Sequence, residues 1–238
     1  MGKLYSKCKE MFYPNQLRVG TPKGVESAVH SLHAYYQNEN TKDKVILKIN
    51  FKNAFNQISL DIVLQKVKST VPEIFLFNYQ SYITNSKLYL GESLIIKSRE
   101  GIQHGDPLGP FLFSLATIDL INSCKSELKS FYLDDGTMGG DTETVLCDYK
   151  RIQTEAAKIG LEVNPSKCEL FKIRTESEEC QNAFVSFCEA SPGCFCLKVL
   201  DETNFTLLGA PVLPESIEKI LSTKLAYQKL MVTKLFSY

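Results

Sequence analysis

Tyr132-Leu133-Asp134-Asp135-Gly136 places two adjacent carboxylates after an aromatic-apolar run and follows them at once with glycine. A strand that stops on Asp-Asp and turns on Gly aims both carboxylates at one spot, an arrangement suited to holding divalent metal. Paired metals about 3.5–4 Å apart activate a hydroxyl and stabilise the leaving oxygen of a phosphate displacement. The same residues also spell an ordinary Asp-Gly hairpin turn. Taken alone, the stretch leaves both readings open.

Composition narrows the setting. A chain of 238 residues has room for one large domain or two small ones, each with an ample core. Hydrophobic residues at 44% and charged residues at 23% are ordinary for a globular protein. Lys plus Arg is 27 and Asp plus Glu is 27, so no global positive field advertises nucleic acid, although a neutral chain can still carry a local basic groove. No apolar run reaches the ~18 residues of a membrane span, and the N-terminus lacks a signal-peptide core. The expectation is an intracellular chain with no membrane partner. Its eight cysteines argue for neither disulfides nor zinc. Cys8, Cys124, Cys147 and Cys168 are scattered, and Cys180, Cys188, Cys194 and Cys196 form no C-x-x-C pair. Free thiols in a reducing compartment are expected.

Outward from the hairpin, strands and helices interleave. Residues 1–24 read as irregular, broken by Pro14, Gly20, Pro22 and Gly24. A helix is expected from Val25 to about Asn38, and a strand over Lys44 to Asn50. Helical segments follow at about 59–69 and 72–83, the second opened by Pro72, then a hairpin of Lys87–Leu90 and Leu94–Ser98. The run Gly101-Ile102-Gln103-His104-Gly105-Asp106-Pro107-Leu108-Gly109-Pro110 leads into an apolar helix to about 124, with Asp106 as an N-cap candidate. The Asp-Asp hairpin spans about 130–140, and a helix runs from about 142 to 160, with Gly160 as its stop. Leu161–Val163, Glu169–Ile173 and Phe205–Leu208 read as strands, and residues 174–204 as loops. A last helix covers Pro214 to Phe236. The expected class is α+β with a mostly antiparallel sheet packed on helices.

Three segments belong together: Asn50-Phe51-Lys52-Asn53-Ala54-Phe55-Asn56 after a strand, Gly101 to Pro110 turning into a helix, and Tyr132 to Gly136. In this order and spacing they resemble motifs A, B and C of a reverse transcriptase of the kind encoded by non-LTR retroelements. Gly160-Leu161, Asn164 and Lys167 resemble motif D, and Leu207-Leu208-Gly209 resembles motif E. Together these span about residues 20–213.

The resemblance implies a polymerase palm and assigns roles within it. Asp134 and Asp135 would be the metal-holding carboxylates, with Mg²⁺ or Mn²⁺ as the ion, and position 50 would supply the third catalytic ligand. Phe55 would lie under the sugar and clash with a ribose 2′-hydroxyl, selecting deoxynucleotides by exclusion. Its plain alternative is a core aromatic. His104 and Gly105 would contact the incoming nucleotide from the motif B loop. Lys167 would approach the leaving pyrophosphate, against the alternative of a solvated lysine. Leu208 and Gly209 would form the primer grip, and template-primer RNA/DNA and a deoxynucleoside triphosphate would be the partners.

Departures from the pattern temper that activity. Motif A opens with aspartate in active members, and here with Asn50. Losing one unit charge at about 4 Å, at an effective dielectric near 20, is worth roughly 4 kcal/mol. Falling wholly on the transition state, that is about a thousandfold in rate. His104 stands where the family usually has glutamine. The resemblance also divides the chain into a fingers-derived remnant at 1–44, a palm at 45–213 with finger-like segments at 59–100, and a thumb-starting helix at 214–238. Basic strands that grip the triphosphate have no counterpart beyond Lys23. The expectation is a catalytically impaired reverse transcriptase fragment with weak nucleic-acid binding. The alternatives are an active RNA-directed DNA polymerase and a co-opted, non-catalytic nucleic-acid-binding palm.

Overall fold

Strand β1 (Val45–Ile49) is the centre of the molecule, with Val45, Ile46, Leu47 and Ile49 buried and Lys48 partly accessible. Apolar and β-branched side chains pointing both ways suit a strand covered on both faces. The computed structural model describes residues 2–41, 43–83, 86–90, 93–98, 100–174, 178, 182 and 197–235. The sheet runs β4 (Leu128–Tyr132), β5 (Asp135–Gly140), β1, β6 (Glu169–Lys172), β7 (Lys198–Leu200). Its pairings are antiparallel except β6 with β7. The fold is therefore α+β with a mostly antiparallel sheet, as the sequence leads one to expect.

Helices cover the back of the sheet. α6 (Gly109–Ser123) is apolar nearly all round and buried along most of its length, while α7 (Thr142–Lys158) buries one face through Val145, Tyr149, Ile152 and Ala156. With α4 (Leu60–Thr70) they enclose Leu47, Ile49, Met138 and Leu170. Each such side chain fully withdrawn from water contributes about 1.5–3 kcal/mol. On the front, α2 (Gly24–Gln37) and the short hairpin β8 (Thr206–Leu207)/β9 (Ala210–Pro211) cover Ile46 and Phe171. Phe171 stacks on Phe205 at 4.3 Å between ring centroids. That cover lies over one end of the front face; the other end carries Asn50 and Asp135.

Several expectations need correcting. Residues 2–12 are not irregular but form helix α1 (Gly2–Phe12), because no proline or glycine falls between Gly2 and Pro14, and Cys8 and Phe12, one turn apart, are buried. Residues 174–204 contain β7, which pairs with β6, and a 3₁₀ turn at Glu202–Asn204 capped by Asp201. Leu161–Val163 is no strand, only a bridge from Val163 to Phe51. Pro72 opens a 3₁₀ turn before α5 (Phe75–Tyr82), and the β2/β3 hairpin runs Ser86–Leu90 and Ser93–Ser98. Asp106 is not the N-cap of α6: that position is Leu108, whose N–H donates to the Asp106 carboxylate at 2.8 Å. The final helix, α8 (Pro214–Leu235), is the expected one, and Phe236 lies outside the described residues. Cys8, Cys124, Cys147 and Cys168 are free thiols, while Cys180, Cys188, Cys194 and Cys196 lie outside the described residues. Among the described residues, no helix is long and apolar enough to cross a membrane.

Candidate functional site

The carboxylate hairpin turns earlier than its sequence suggests. Tyr132 pairs with Asp135, leaving Leu133 and Asp134 as a two-residue loop, and Asp135 already belongs to β5. Leu133 takes φ 59, a left-handed conformation that usually calls for glycine. Gly136 is thus not the turn residue. It makes room inside the sheet, since a Cβ there would fall 2.3 Å from the Phe131 ring.

The strand register builds the rest of the site. Lys48 pairs with Thr137 and Ile49 with Gly136, so one further step sets Asn50 beside Asp135 on the front face. The Asn50 side chain faces the Asp135 carboxyl and favours its charged form. The Asn50 backbone is itself anchored: its carbonyl accepts the Asn164 N–H at 2.8 Å, and the Cys168 thiol faces the same oxygen at 4.0 Å. Below Asn50, Lys48 Nζ meets Glu169 at 2.5 Å, and Lys198 approaches the other Glu169 oxygen at 3.6 Å. A front cleft of about 540 Å³ is lined by Asn50 and Asp135, by Lys48 and Lys167, and by Leu208 and Gly209.

The structure therefore brings Asn50, Asp135, Lys167, Leu208 and Gly209 around one cleft. Leu208 (φ 49) and Gly209 (φ 76) are the two turn residues of the β8/β9 hairpin. Asp134 sits half-buried in the loop above and does not line that cleft. Phe55, His104 and Gly105 form a separate group. Phe55 stacks on Phe113 at 4.7 Å and lies 6.3 Å from the His104 ring, while Gly105 is exposed with φ 91 and open space about it. Backbone bonds lock the loop before α6 to the short helix α3 (Ala54–Gln57) that follows Asn50: Ile102 N–H donates to Phe55 O at 2.7 Å, and Gly101 N–H to Ile58 O at 3.2 Å. Phe55 is both a partner of the core and a wall held in a fixed plane.

Comparison with known proteins gives this arrangement its family. The sequence model for reverse transcriptase (RNA-dependent DNA polymerase) matches residues 2–212. The chain belongs to the reverse transcriptase family. Among solved structures it is similar to apo telomerase from Candida tropicalis, with 9% identity and a TM-score of 0.56, over 72% of this chain and 36% of that one. Telomerase from Candida albicans in complex with a TWJ fragment of telomeric RNA aligns over 70% of this chain and 33% of its own, with 11% identity and a TM-score of 0.46. The first likeness shows the fold, that of a polymerase palm. The chain spans about a third of the length of these structures. No curated protein matches its sequence.

In this reverse transcriptase palm the Asp135 carboxyl is raised above the ordinary carboxylate range. Burial of the group is the first cause and the Asp134 charge the second, opposed by the Asn50 side chain and by Lys48. The residue as a whole is exposed, so the burial acts locally, at the carboxyl group itself. The Asp134 charge that disfavours ionisation of Asp135 would be offset by one divalent cation held between the two carboxylates. They do not fit a pair as well: among the described residues no group of three or more His, Cys, Asp or Glu is gathered, and Asn50 brings an amide where a third charge would be needed. Lys48, Glu169 and Lys198 were missed from sequence. Alternation along β1 was the available signal for Lys48, two residues before Asn50 and hence on its face. For Glu169 and Lys198 no local signal existed, because only cross-strand pairing brings them in. Gln16, buried against the carboxylate turn, was hidden in a segment read as irregular.

Proposed function

We propose that this reverse transcriptase domain is of the non-LTR retroelement type and that Asn50 leaves its polymerase site catalytically impaired. The amide of Asn50, set beside Asp135 by the strand register, carries the reading. An aspartate there would add a third negative charge, whereas the amide adds none. A divalent ion, Mg²⁺ or Mn²⁺, would be held by Asp134 and Asp135 and when bound supplies positive charge at the transferring phosphoryl group.

The other residues position substrates for attack of a primer 3′-hydroxyl on an incoming deoxynucleotide. Phe55, pinned against Phe113, presents a rigid ring to the sugar. His104 and Gly105 face solvent at the motif B loop, where a nucleotide and template base would approach. Leu208 and Gly209 offer backbone to the primer end, and exposed Lys167 offers its ammonium to pyrophosphate. Residues 1–44 then belong to the fingers side, 45–213 to the palm with finger-like segments at 59–100, and 214–238 to the thumb side. RNA or DNA template-primer is the partner, bound weakly.

Primer extension on an RNA template with Mg²⁺ or Mn²⁺ tests this, comparing the native chain with Asn50→Asp and with Asp134→Ala/Asp135→Ala. A missing charge of roughly 4 kcal/mol predicts a native rate about a thousandfold below that of Asn50→Asp, with the double alanine variant inactive. Fast extension by the native chain that disappears in the double alanine variant would contradict the impairment. So would an Asn50→Asp variant that gains nothing.

A further inference from the structure

We infer that Gln16 is a positioning residue for the carboxylate turn, a clamp that holds Leu133 in its left-handed conformation and thereby sets the direction of Asp134 and Asp135. Gln16 is 0% exposed, and both the oxygen and the nitrogen of its side-chain amide have partners. Its Oε1 accepts the Leu133 N–H at 3.0 Å and the Arg18 N–H at 3.2 Å, and its Nε2 donates to the Leu133 carbonyl at 3.4 Å. One side chain thus meets both polar groups of one backbone residue, as a neighbouring strand would.

The need for such a clamp follows from the residue it holds. A non-glycine residue in the left-handed region is disfavoured, and Leu133 sits there with φ 59. Leu133 lies beyond the last residue of β4, so the ladder to β5 does not reach it. Gln16 arrives by extending that edge from outside. Leu17 N–H donates to Phe131 O at 2.8 Å, Phe131 N–H donates to Asn15 O at 2.8 Å, and Gln16 N–H is tied to Phe12 O at 2.8 Å. The segment 15–17 lies parallel to β4, and its central side chain points along the edge to the one backbone residue past the ladder. Burial makes the clamp strong, since an amide without partners there is costly. The link to catalysis rests on the polymerase reading above; the clamp itself does not.

Amide hydrogen exchange and carboxyl ¹³C spectra of the full chain separate the two, because neither needs activity. Gln16→Met, close in size but without hydrogen bonds, should speed exchange of the Leu133 amide about tenfold and shift the Asp134 and Asp135 carboxyl resonances. Amides within the β4/β5 ladder should keep their protection. Gln16→Glu, which keeps the acceptor for Leu133 N–H, should leave that amide slow and serves if the methionine variant folds poorly. Adding Leu133→Gly, which is at ease in the left-handed region, should return the carboxyl resonances of Gln16→Met to their native positions. An unchanged Leu133 amide in Gln16→Met, or carboxyl shifts that Leu133→Gly does not reverse, would overturn the clamp. An Asn50→Asp variant that gains no primer extension, with these signatures intact, would count against the polymerase reading alone.

Discussion

Asp135, one of the two carboxylates proposed to hold a divalent ion, is also a cost to the fold. Its carboxyl holds a proton more tightly in the fold than in the unfolded chain, by local burial and by the neighbouring Asp134 charge. A raised carboxyl contributes stability below its unfolded value and loses it as pH rises through the folded value. Asp135→Asn, neutral at every pH, should therefore raise the melting temperature near pH 7 and lose that gain as pH falls to about 3, which thermal melts at the two pH values would check. Asn50→Asp acts in the opposite sense. A third carboxylate beside Asp134 and Asp135 should lower the melting temperature without divalent ions, and Mg²⁺ should restore it, an effect the native chain shows weakly. Phe55 offers a separate handle: replacing the ring pinned on Phe113 by valine should raise incorporation of ribonucleotides relative to deoxynucleotides in the Asn50→Asp background.

The elements meet where side chains are absent. Gly101 has φ 79, and a Cβ on it would fall 2.5 Å from the Asn56 backbone, so the loop before α6 lies directly on the turn that carries Phe55. Gly101→Ala should destabilise by about 3 kcal/mol in urea unfolding, through strain and displaced backbone. Gly105→Ala, with φ 91 but open space, should cost only about 1 kcal/mol. At this scale the sequence was legible wherever the pattern is local. Lys44–Asn50 is short, apolar and β-branched and ends in a polar residue, the apolar run after Pro110 is long, and both appear as elements. α1 was lost because the breakers at Pro14, Gly20 and Pro22 coloured the residues before them. β7 was lost because a strand of three residues exists only by pairing with β6. The site divides the same way: Asn50, Asp135 and Leu208-Gly209 could be read, whereas Lys48, Glu169 and Gln16 act through partners about a hundred residues away.

Across the whole molecule the charge is balanced and much of it is spent internally. Lys44 pairs with Glu127, Lys48 with Glu169, Lys52 with Glu162, Lys66 with Asp119, and Lys158 with Glu155. With Lys plus Arg equal to Asp plus Glu, no net positive field gathers phosphates, so template-primer affinity should be weak and fall steeply with salt. Fluorescence anisotropy with an RNA/DNA duplex across a salt series measures this, and nanomolar binding that persists at high salt would point to a binding role in place of synthesis. The central claim is narrower: a reverse transcriptase palm whose carboxylate site is one charge short. Mn²⁺ titration followed by electron paramagnetic resonance tests it most directly, on the native chain, Asn50→Asp and Asp134→Ala/Asp135→Ala. The account predicts one weakly held ion in the native chain, a second and tighter binding in Asn50→Asp, and none in the double alanine variant. Two ions held as tightly by the native chain as by Asn50→Asp would contradict it.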